Sequence, residues 1–136
     1  MKLLMVYANK IWYKPTVKTI EWAEDKSEPE EYHDILIAFI QAEEKDMEDI
    51  KAAETKLIKN VKWGARKNNT RKILLHSFAH LSESKATPEF TKELLDRAEA
   101  RLKNADYQAY QSPFGYFLDI SMEWPGRSLA RVFKDL

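Results

Sequence analysis

The sequence predicts a single α/β domain, layered, with a mixed β-sheet and two main helices. Segments with the two-residue periodicity of strands alternate along the chain with two segments that have the periodicity of helices. The chain has 136 residues, of which 44% are apolar. That length is enough to bury one core and too short for two comfortable domains, so we expect residues 1–136 to form one unit.

The first elements are extended. Residues 2–8 are predicted as a strand. Residues 10–17 contain a second extended segment, which Pro15 is expected to end. Residues 34–42 form a nearly continuous apolar run, which is typical of a strand buried on both faces. The core is therefore expected to begin at this third segment.

A helix is predicted next. Asp46 can cap its first turn, in which Glu48 and Asp49 suit the helix dipole, and Gly64 is expected to end it. Its apolar stripe consists of Met47, Ile50, Leu57, Ile58 and Val61.

A short strand at residues 71–75 leads to the second helix. Thr87 followed by Pro88 is a cap with a first-turn proline, and the helix is expected to run to about Asn104. Its apolar face consists of Leu94, Leu95, Ala98 and Leu102.

Two alternating segments follow, at residues 106–112 and 116–123, and both are predicted as strands. Pro113 and Gly115 indicate a tight turn between them. The tail, residues 126–136, is expected to form either a short third helix or the lead-in to a further segment.

The absence of cysteine excludes disulfides, thiolate metal sites and thiol nucleophiles. The first ten residues contain too short an apolar run for a signal peptide or a membrane span. We therefore expect a cytoplasmic protein with no membrane partner.

The formal net charge of zero hides an asymmetry. Residues 21–54 carry thirteen acidic and three basic side chains, whereas residues 56–72 carry seven basic side chains and no acidic one. The second block is a candidate RNA-facing surface, and an ordinary solvated face at a helix end is the alternative. Its candidate RNA contacts are Lys56, Lys59, Lys62, Arg66 and Lys67.

Two of the three histidines, His76 and His80, lie four residues apart after the strand at 71–75. With Glu83 they could bind zinc, but a strand end and a loop do not give the helical geometry that this spacing requires, so no metal is expected. The alternative is that His76 is an incidental polar residue at the strand end and His80 a hydrogen-bonded loop residue. No serine has the glycine-flanked elbow of a nucleophile.

The motif "SFAHLS" (77–82), the helix start "TPE" and the motif "SPFGYF" (112–117) resemble, in this order and spacing, the N-terminal editing domain of archaeal threonyl-tRNA synthetase. That domain is similar in fold to D-aminoacyl-tRNA deacylases. The resemblance extends over nearly the whole chain. It implies the N-terminal part of a longer synthetase or of a trans-editing protein.

The resemblance implies a hydrolase that removes serine from mischarged tRNA(Thr). One missing methyl group is worth only about 1–3 kcal/mol in a binding pocket, so a second, hydrolytic sieve is needed. The implied catalytic residues are His80 and Tyr116. The implied substrate-binding residues, several of them acting through the main chain, are Ala42, Glu43, Phe78, Ala79, Phe114, Gly115, Phe117 and Leu118.

The sequence departs from the family pattern at several positions. The family's lysine after the Pro-Phe-Gly turn is Leu118, its glutamate after Leu-Ala is Arg131, and its proline before Phe-Ala-His is Ser77. Either backbone groups and the ribose 2′-hydroxyl suffice for hydrolysis, or the domain binds tRNA without editing. Arg131 could contact a phosphate. A D-aminoacyl-tRNA deacylase is the third alternative.

The resemblance also sets the expected partners. One expected partner is the 3′ end of tRNA(Thr) that carries serine, and the other is a second copy of the chain. No interaction with DNA is expected. No cofactor is expected for editing, and ATP and zinc are expected only if the parent protein has a separate aminoacylation domain.

Overall fold

A six-stranded mixed sheet forms the body of the protein in the computed structural model, which describes residues 1–136. Its strand order is β4-β3-β2-β1-β5, and β6 also pairs with β1. The elements are β1 (Lys2–Lys18), β2 (Glu30–Gln41), α1 (Ile50–Lys67), β3 (Lys72–Ser77), α2 (Pro88–Asn104), β4 (Gln108–Gln111), β5 (Tyr116–Glu123) and β6 (Arg131–Asp135), with 3₁₀ turns at Glu44–Glu48 and Ser128–Ala130. The predicted α/β class, with a mixed sheet and two main helices, is confirmed.

The two predicted N-terminal segments form one strand, β1. It pairs with β2 in antiparallel register from Lys2 opposite Gln41 to Tyr13 opposite Glu30. The prediction that Pro15 ends the extended segment was wrong, since β1 continues to Lys18. The pairing of β1 with β5 is irregular between Pro15 and Lys18. Such an irregularity accommodates a residue that has no amide hydrogen to donate.

Both helices cover the same face of the sheet. Strands β2, β3 and β4 are parallel neighbours, and α1 and α2 are the crossovers that join them. The start and end of α2 agree with the prediction, and the Thr87 hydroxyl accepts a hydrogen bond from the Phe90 amide at 3.2 Å. The helices and this sheet face enclose the larger of two hydrophobic cores.

The predicted bounds of α1 were wrong at both ends. Asp49 is the N-cap, whereas Asp46 lies in the preceding 3₁₀ turn and accepts a hydrogen bond from the Glu43 amide at 2.7 Å. The helix continues past Gly64 to Lys67. A Cβ on Gly64 would lie 2.9 Å from the Met5 sulfur, so this glycine allows the helix to approach the sheet.

The prediction of a helical tail was also wrong. Residues Arg131–Asp135 form β6, which pairs with β1 from Val6 opposite Arg131 to Lys2 opposite Asp135. Strand β5 pairs with the other end of β1, as far as Lys10 opposite Glu123. Residues 116–135 thus run along one side of β1 as two strands in line.

The second sheet face carries a smaller core built from strand residues. Its eight buried side chains come from β1, β2 and β3, and Phe78, Tyr110 and Leu118 pack at its margin. No buried residue of this core comes from a helix. Neither α1 nor α2 combines the length and the apolar character that crossing a membrane requires.

Candidate functional site

A pocket of about 340 Å³ lies at the carboxyl ends of β2 and β3. It brings together the end of β2, the loop after β3 and the turn between β4 and β5. Crevices at strand carboxyl ends are where α/β sheets usually bind ligands. Every residue predicted to be catalytic or substrate-binding lines the pocket, except Glu43.

The side chain of Gln41, the last residue of β2, fixes the loop that carries His80. Its amide nitrogen donates to the carbonyls of Ser82 (2.8 Å) and Ser84 (2.9 Å). Its amide oxygen accepts from the amides of Leu81 (2.7 Å) and Ser82 (2.8 Å). Four bonds from one buried side chain hold the loop rigid. This role was not predicted from the sequence, although a glutamine at the end of an apolar strand is a signal for it.

Main-chain bonds extend the same attachment. The Phe78 amide donates to the Ile40 carbonyl, and the Ala86 amide donates to the Ala42 carbonyl, both at 2.9 Å. The loop is therefore tied to β2 at both of its ends. The backbone groups at residues 78–80 are held in a fixed direction, as recognition through the main chain requires.

Glu43 lies beside the pocket, and its carboxylate is used structurally. One oxygen accepts from the α-amino group of Met1 at 2.6 Å, and the other accepts from the Ser82 hydroxyl at 2.7 Å. Burial acts to raise the pKa of Glu43, but these bonds, together with the charges of the α-amino group and Lys2, outweigh it and hold the pKa at about 2. The side chain is thus ionised and committed to joining β1 to the loop.

His80 is exposed at the pocket rim. Its ring packs edge-on against Phe78, with 5.0 Å between the ring centroids. The expectation of a hydrogen-bonded loop histidine was wrong, because its ring nitrogens make no hydrogen bond within the protein. Both nitrogens are free for a bound molecule.

Phe114 forms an aromatic wall. Its ring stacks on Trp22 with 5.9 Å between centroids and 22° between planes. Gly115 adopts φ +82°, and a Cβ there would lie 2.8 Å from the Ala23 Cβ. Only glycine fits this turn.

The segment between β1 and β2 forms part of the pocket, which the sequence did not indicate. The Thr19 amide donates to the Gly115 carbonyl at 2.7 Å. The Tyr116 hydroxyl accepts from the Lys26 amide (3.0 Å) and donates to the Glu24 carbonyl (3.1 Å). Tyr116, predicted as catalytic, therefore lines the pocket while its hydroxyl fixes this segment.

The three remaining predicted positions differ in their placement. Leu118 is half-buried, lines the pocket and packs against the smaller core. Phe117 lines the pocket but is 60% exposed. Arg131 lies outside the pocket, with its guanidinium carbon 5.4 Å from the centre of the Trp124 ring.

His76, treated as incidental in the sequence, lies in the pocket wall and is only 9% exposed. Its Nδ1 is 2.6 Å from the Ser112 hydroxyl, and its ring stands edge-on to Phe39. Burial lowers the pKa of His76 to about 4, so the ring is neutral at neutral pH. The structure contains no group of three His, Cys, Asp or Glu side chains placed to hold a metal ion.

The basic residues predicted to contact RNA lie on α1, away from the pocket lining. Four of the five are exposed, and Lys62 is half-buried. None of the five forms an ion pair, whereas Arg97, Arg101 and Lys103 on α2 are all paired with glutamates.

A sequence model of the archaea-specific editing domain of threonyl-tRNA synthetase matches residues 1–136. The chain is similar to threonine–tRNA ligases: 28% identical over 135 residues to that of Methanopyrus kandleri and 30% over 136 residues to that of Nitrosopumilus maritimus. These matches include 98% of this chain but only 22% and 21% of the relatives. The chain thus spans about a fifth of the length of the curated relatives it matches.

Among solved structures, the c-Myc DNA unwinding element binding protein has a similar fold. The TM-score is 0.69 at 9% sequence identity, and the likeness includes 100% of this chain and 99% of that one. At this identity the likeness concerns the fold alone, which agrees with the expected D-aminoacyl-tRNA deacylase-like architecture. The match of the family sequence model over all 136 residues places the chain in a family. It belongs to the archaea-specific editing domains of threonyl-tRNA synthetase.

Proposed function

We propose that this domain hydrolyses the ester of L-serine on mischarged tRNA(Thr), as a single proofreading unit that acts in the cytoplasm. The observation that carries the proposal is the pocket itself. It joins the loop of the first motif, residues 78–80, to the turn of the second motif, residues 113–116. Two segments that lie far apart in the chain thus line one small cavity.

The substrate is assigned by the chemistry of discrimination. Serine differs from threonine by one methyl group, and the binding difference of about 1–3 kcal/mol gives too little fidelity in one step. A small cavity that admits the seryl ester and excludes the extra methyl group of threonine adds a second selection, after the one made when the amino acid is first bound. Leu118 and Phe78 supply apolar walls for such a cavity.

Backbone groups carry most of the recognition in this proposal. The main chain at Ala42 and at residues 78–80 binds the amino and carbonyl groups of the seryl ester. Phe114 and Gly115 receive the terminal adenosine. Hydrogen-bond groups that are already rigid lose little entropy on binding and can stabilise the oxyanion of the tetrahedral intermediate.

Water is activated with help from the ribose 2′-hydroxyl beside the ester. Leu118 supports this assignment, because the family's lysine position brings no ammonium group, and the one lysine that lines the pocket, Lys85, comes from the loop before α2. His80 assists through its free ring and through the loop that carries it. No cofactor takes part in this scheme. ATP and zinc would belong to a separate aminoacylation domain of a longer parent protein.

One assay tests the function. The domain is incubated separately with Ser-tRNA(Thr), Thr-tRNA(Thr) and a D-aminoacyl-tRNA, and the loss of each ester is followed. Selective loss of serine is expected. Loss of the D-ester alone would make the domain a D-aminoacyl-tRNA deacylase, and loss of no ester would make it a module that binds tRNA without editing.

The binding-only alternative is favoured by specific positions. Leu118 and Arg131 stand where the family pattern has a lysine and a glutamate, and Arg131 lies outside the pocket. The unpaired cations of α1 would then supply the interaction with RNA. Binding of tRNA with no hydrolysis of any ester is the result that would select this alternative.

We also propose a homodimer. Strand β5 lies at an open edge of the sheet. The side chain of Phe117 on this strand is 60% exposed to solvent, and that of Trp124, just beyond the strand, is 42% exposed. Exposed apolar side chains along an unpaired strand edge are typical of an interface. Sedimentation should give twice the chain mass of 16.0 kDa, and a mass of 16.0 kDa would contradict the dimer.

A further inference from the structure

The pocket contains a buried polar side chain to which the proposed mechanism gives no role. Three polar side chains that line the pocket are buried: Gln41, His76 and Thr91. The amide of Gln41 is fully used on the loop after β3. His76 uses one ring nitrogen and leaves the other without a protein partner.

The free nitrogen of His76 is not fully enclosed by the protein, and His76 is part of the pocket lining. No fully enclosed side-chain nitrogen or oxygen lacks a hydrogen-bond partner anywhere in the protein. The Nε2 of His76 has no partner, so it must retain access to open space. The ring is buried between Phe39 and Phe78, at centroid distances of 5.3 and 5.8 Å, and the cavity whose lining includes this residue is the pocket.

The ring is also held in one orientation. Its Nδ1 is bonded to Ser112, which is itself fixed because its amide donates to the Leu75 carbonyl at 3.1 Å. Phe39 and Phe78 restrict the ring from its sides. An accessible polar atom that is oriented and unpaired, on a buried residue of a pocket wall, is suited to bind a polar atom of a ligand.

We propose that His76 is a specificity-determining residue whose Nε2 forms a hydrogen bond with the side-chain hydroxyl of the substrate's seryl group. This inference rests on the proposed function for the identity of the substrate. It adds a side-chain contact to a pocket otherwise assigned to main-chain groups.

The hydroxyl is the substrate group that fits. The amino and carbonyl groups are assigned to the backbone of β2 and the loop, and the adenosine to the turn at Phe114. The Ser112 hydroxyl can donate to Nδ1 or accept from it, so Nε2 is either a donor or an acceptor. A serine hydroxyl complements both tautomers, because it donates and accepts. An ammonium group would complement only one.

Binding of stable amide analogues tests the contact without requiring hydrolysis. Seryl- and alanyl-3′-aminoadenosine differ only by the hydroxyl group. We expect the wild-type domain to bind the seryl analogue about fivefold more tightly by calorimetry, as one neutral hydrogen bond predicts. His76→Phe should bring the two affinities to within about twofold by weakening the seryl analogue alone.

Further variants separate this contact from a structural role. His76→Gln restores a polar group near the position of Nε2 and should regain most of the preference for serine. His33→Phe, which alters an exposed histidine on β2, should leave both affinities unchanged. Thr91→Val should keep the preference, and loss of the preference in Thr91→Val but not in His76→Phe would overturn the proposal.

The outcomes separate this inference from the proposed function. Equal weakening of both analogues in His76→Phe, or no weakening, overturns the hydroxyl contact and leaves the hydrolytic function standing. A wild-type domain that binds the analogues with the expected preference but hydrolyses no ester supports the contact and overturns hydrolysis. Binding of neither analogue by the wild-type domain overturns the substrate assignment and the contact together.

Discussion

His80 and the substrate's own 2′-hydroxyl can be compared as sources of catalysis. We expect His80→Ala to lower the rate of seryl ester hydrolysis about three- to tenfold, because its exposed ring supports the loop without being fixed by any hydrogen bond. A terminal 2′-deoxyadenosine should abolish nearly all activity. Single-turnover rates measured with both changes provide the comparison. A loss for His80→Ala as large as that for the deoxy substrate would make His80 the general base.

His76 should make stability depend on pH. Its pKa is lowered by burial from 6.5 to about 4, so the unfolded chain takes up the proton first as the pH falls. The contribution is fully present above pH 6.5 and should be lost between pH 6.5 and 4, amounting to about 3 kcal/mol. Urea unfolding of the wild type and of His76→Phe over this range checks it. Parallel curves for the two proteins would contradict it.

At the scale of elements, the side chain of Gln41 joins β2 to the loop that carries His80. Gln41→Leu removes four hydrogen bonds and should lower the free energy of unfolding by about 3 kcal/mol, because several buried groups lose their partner. We expect the rate of seryl ester hydrolysis to fall more than tenfold. Gln108→Leu, at an exposed position of β4, is the matched control and should change neither quantity. Unchanged activity in Gln41→Leu would show that loop rigidity is unimportant.

Gly64 marks where α1 touches the sheet. Gly64→Leu gains helix propensity of less than about 1 kcal/mol, but it forces side-chain atoms onto Met5 and Leu36. A net loss of about 2 kcal/mol in unfolding free energy is expected from chemical denaturation. Gly126→Leu is the control, since a Cβ there has no neighbour within 4 Å and the change should be near neutral. Equal effects at the two glycines would rule out the close approach.

The elements that the sequence predicted well are those with local signals. Thr87 and Pro88 start α2 because capping and proline geometry depend on neighbouring residues alone. The signals at Pro15 and Gly64 were misleading, because an irregular strand pairing and a helix–sheet contact involve residues far away in the chain. The alternation of Arg131–Asp135 was too short to predict a strand, and β1 decides its conformation by pairing with it.

At the scale of the whole molecule, the two motifs from which the site was predicted line one pocket. The loop at 78–80 and the turn at 113–116 meet as predicted. The sequence could not indicate that residues 19–26 and His76 contribute to the pocket wall and its support. These contributions depend on how the sheet curves and on which face of β3 is turned towards the pocket. The position of a pocket at the strand ends was predictable from these motifs, whereas the rest of its wall was not.

In the proposed function, recognition of the RNA end is separate from interaction with the RNA body. The pocket lies at the ends of β2 and β3, whereas the unpaired cations lie on α1. Replacing Lys59, Lys62 and Arg66 together with glutamine should weaken tRNA binding at least tenfold. The slope of log affinity against log salt should become shallower by roughly one unit for each phosphate that the variant no longer neutralises. Hydrolysis of seryl-adenosine, which has no RNA body, should be unchanged, because no residue of α1 lines the pocket.

A matched triple on α2 distinguishes a specific surface from the effect of net charge. Arg97, Arg101 and Lys103 form ion pairs with the carboxylates of Glu54 and Glu99. Their replacement with glutamine therefore removes the same formal charge as the α1 triple, but it removes cations that are already paired. This triple should leave tRNA affinity within about threefold of the wild type and the salt dependence unchanged. Equal losses in the two triples would mean that α1 is an ordinary solvated face and that tRNA responds only to the total charge. A loss confined to the α1 triple would make that helix the surface on which the RNA body lies while its 3′ end reaches the pocket.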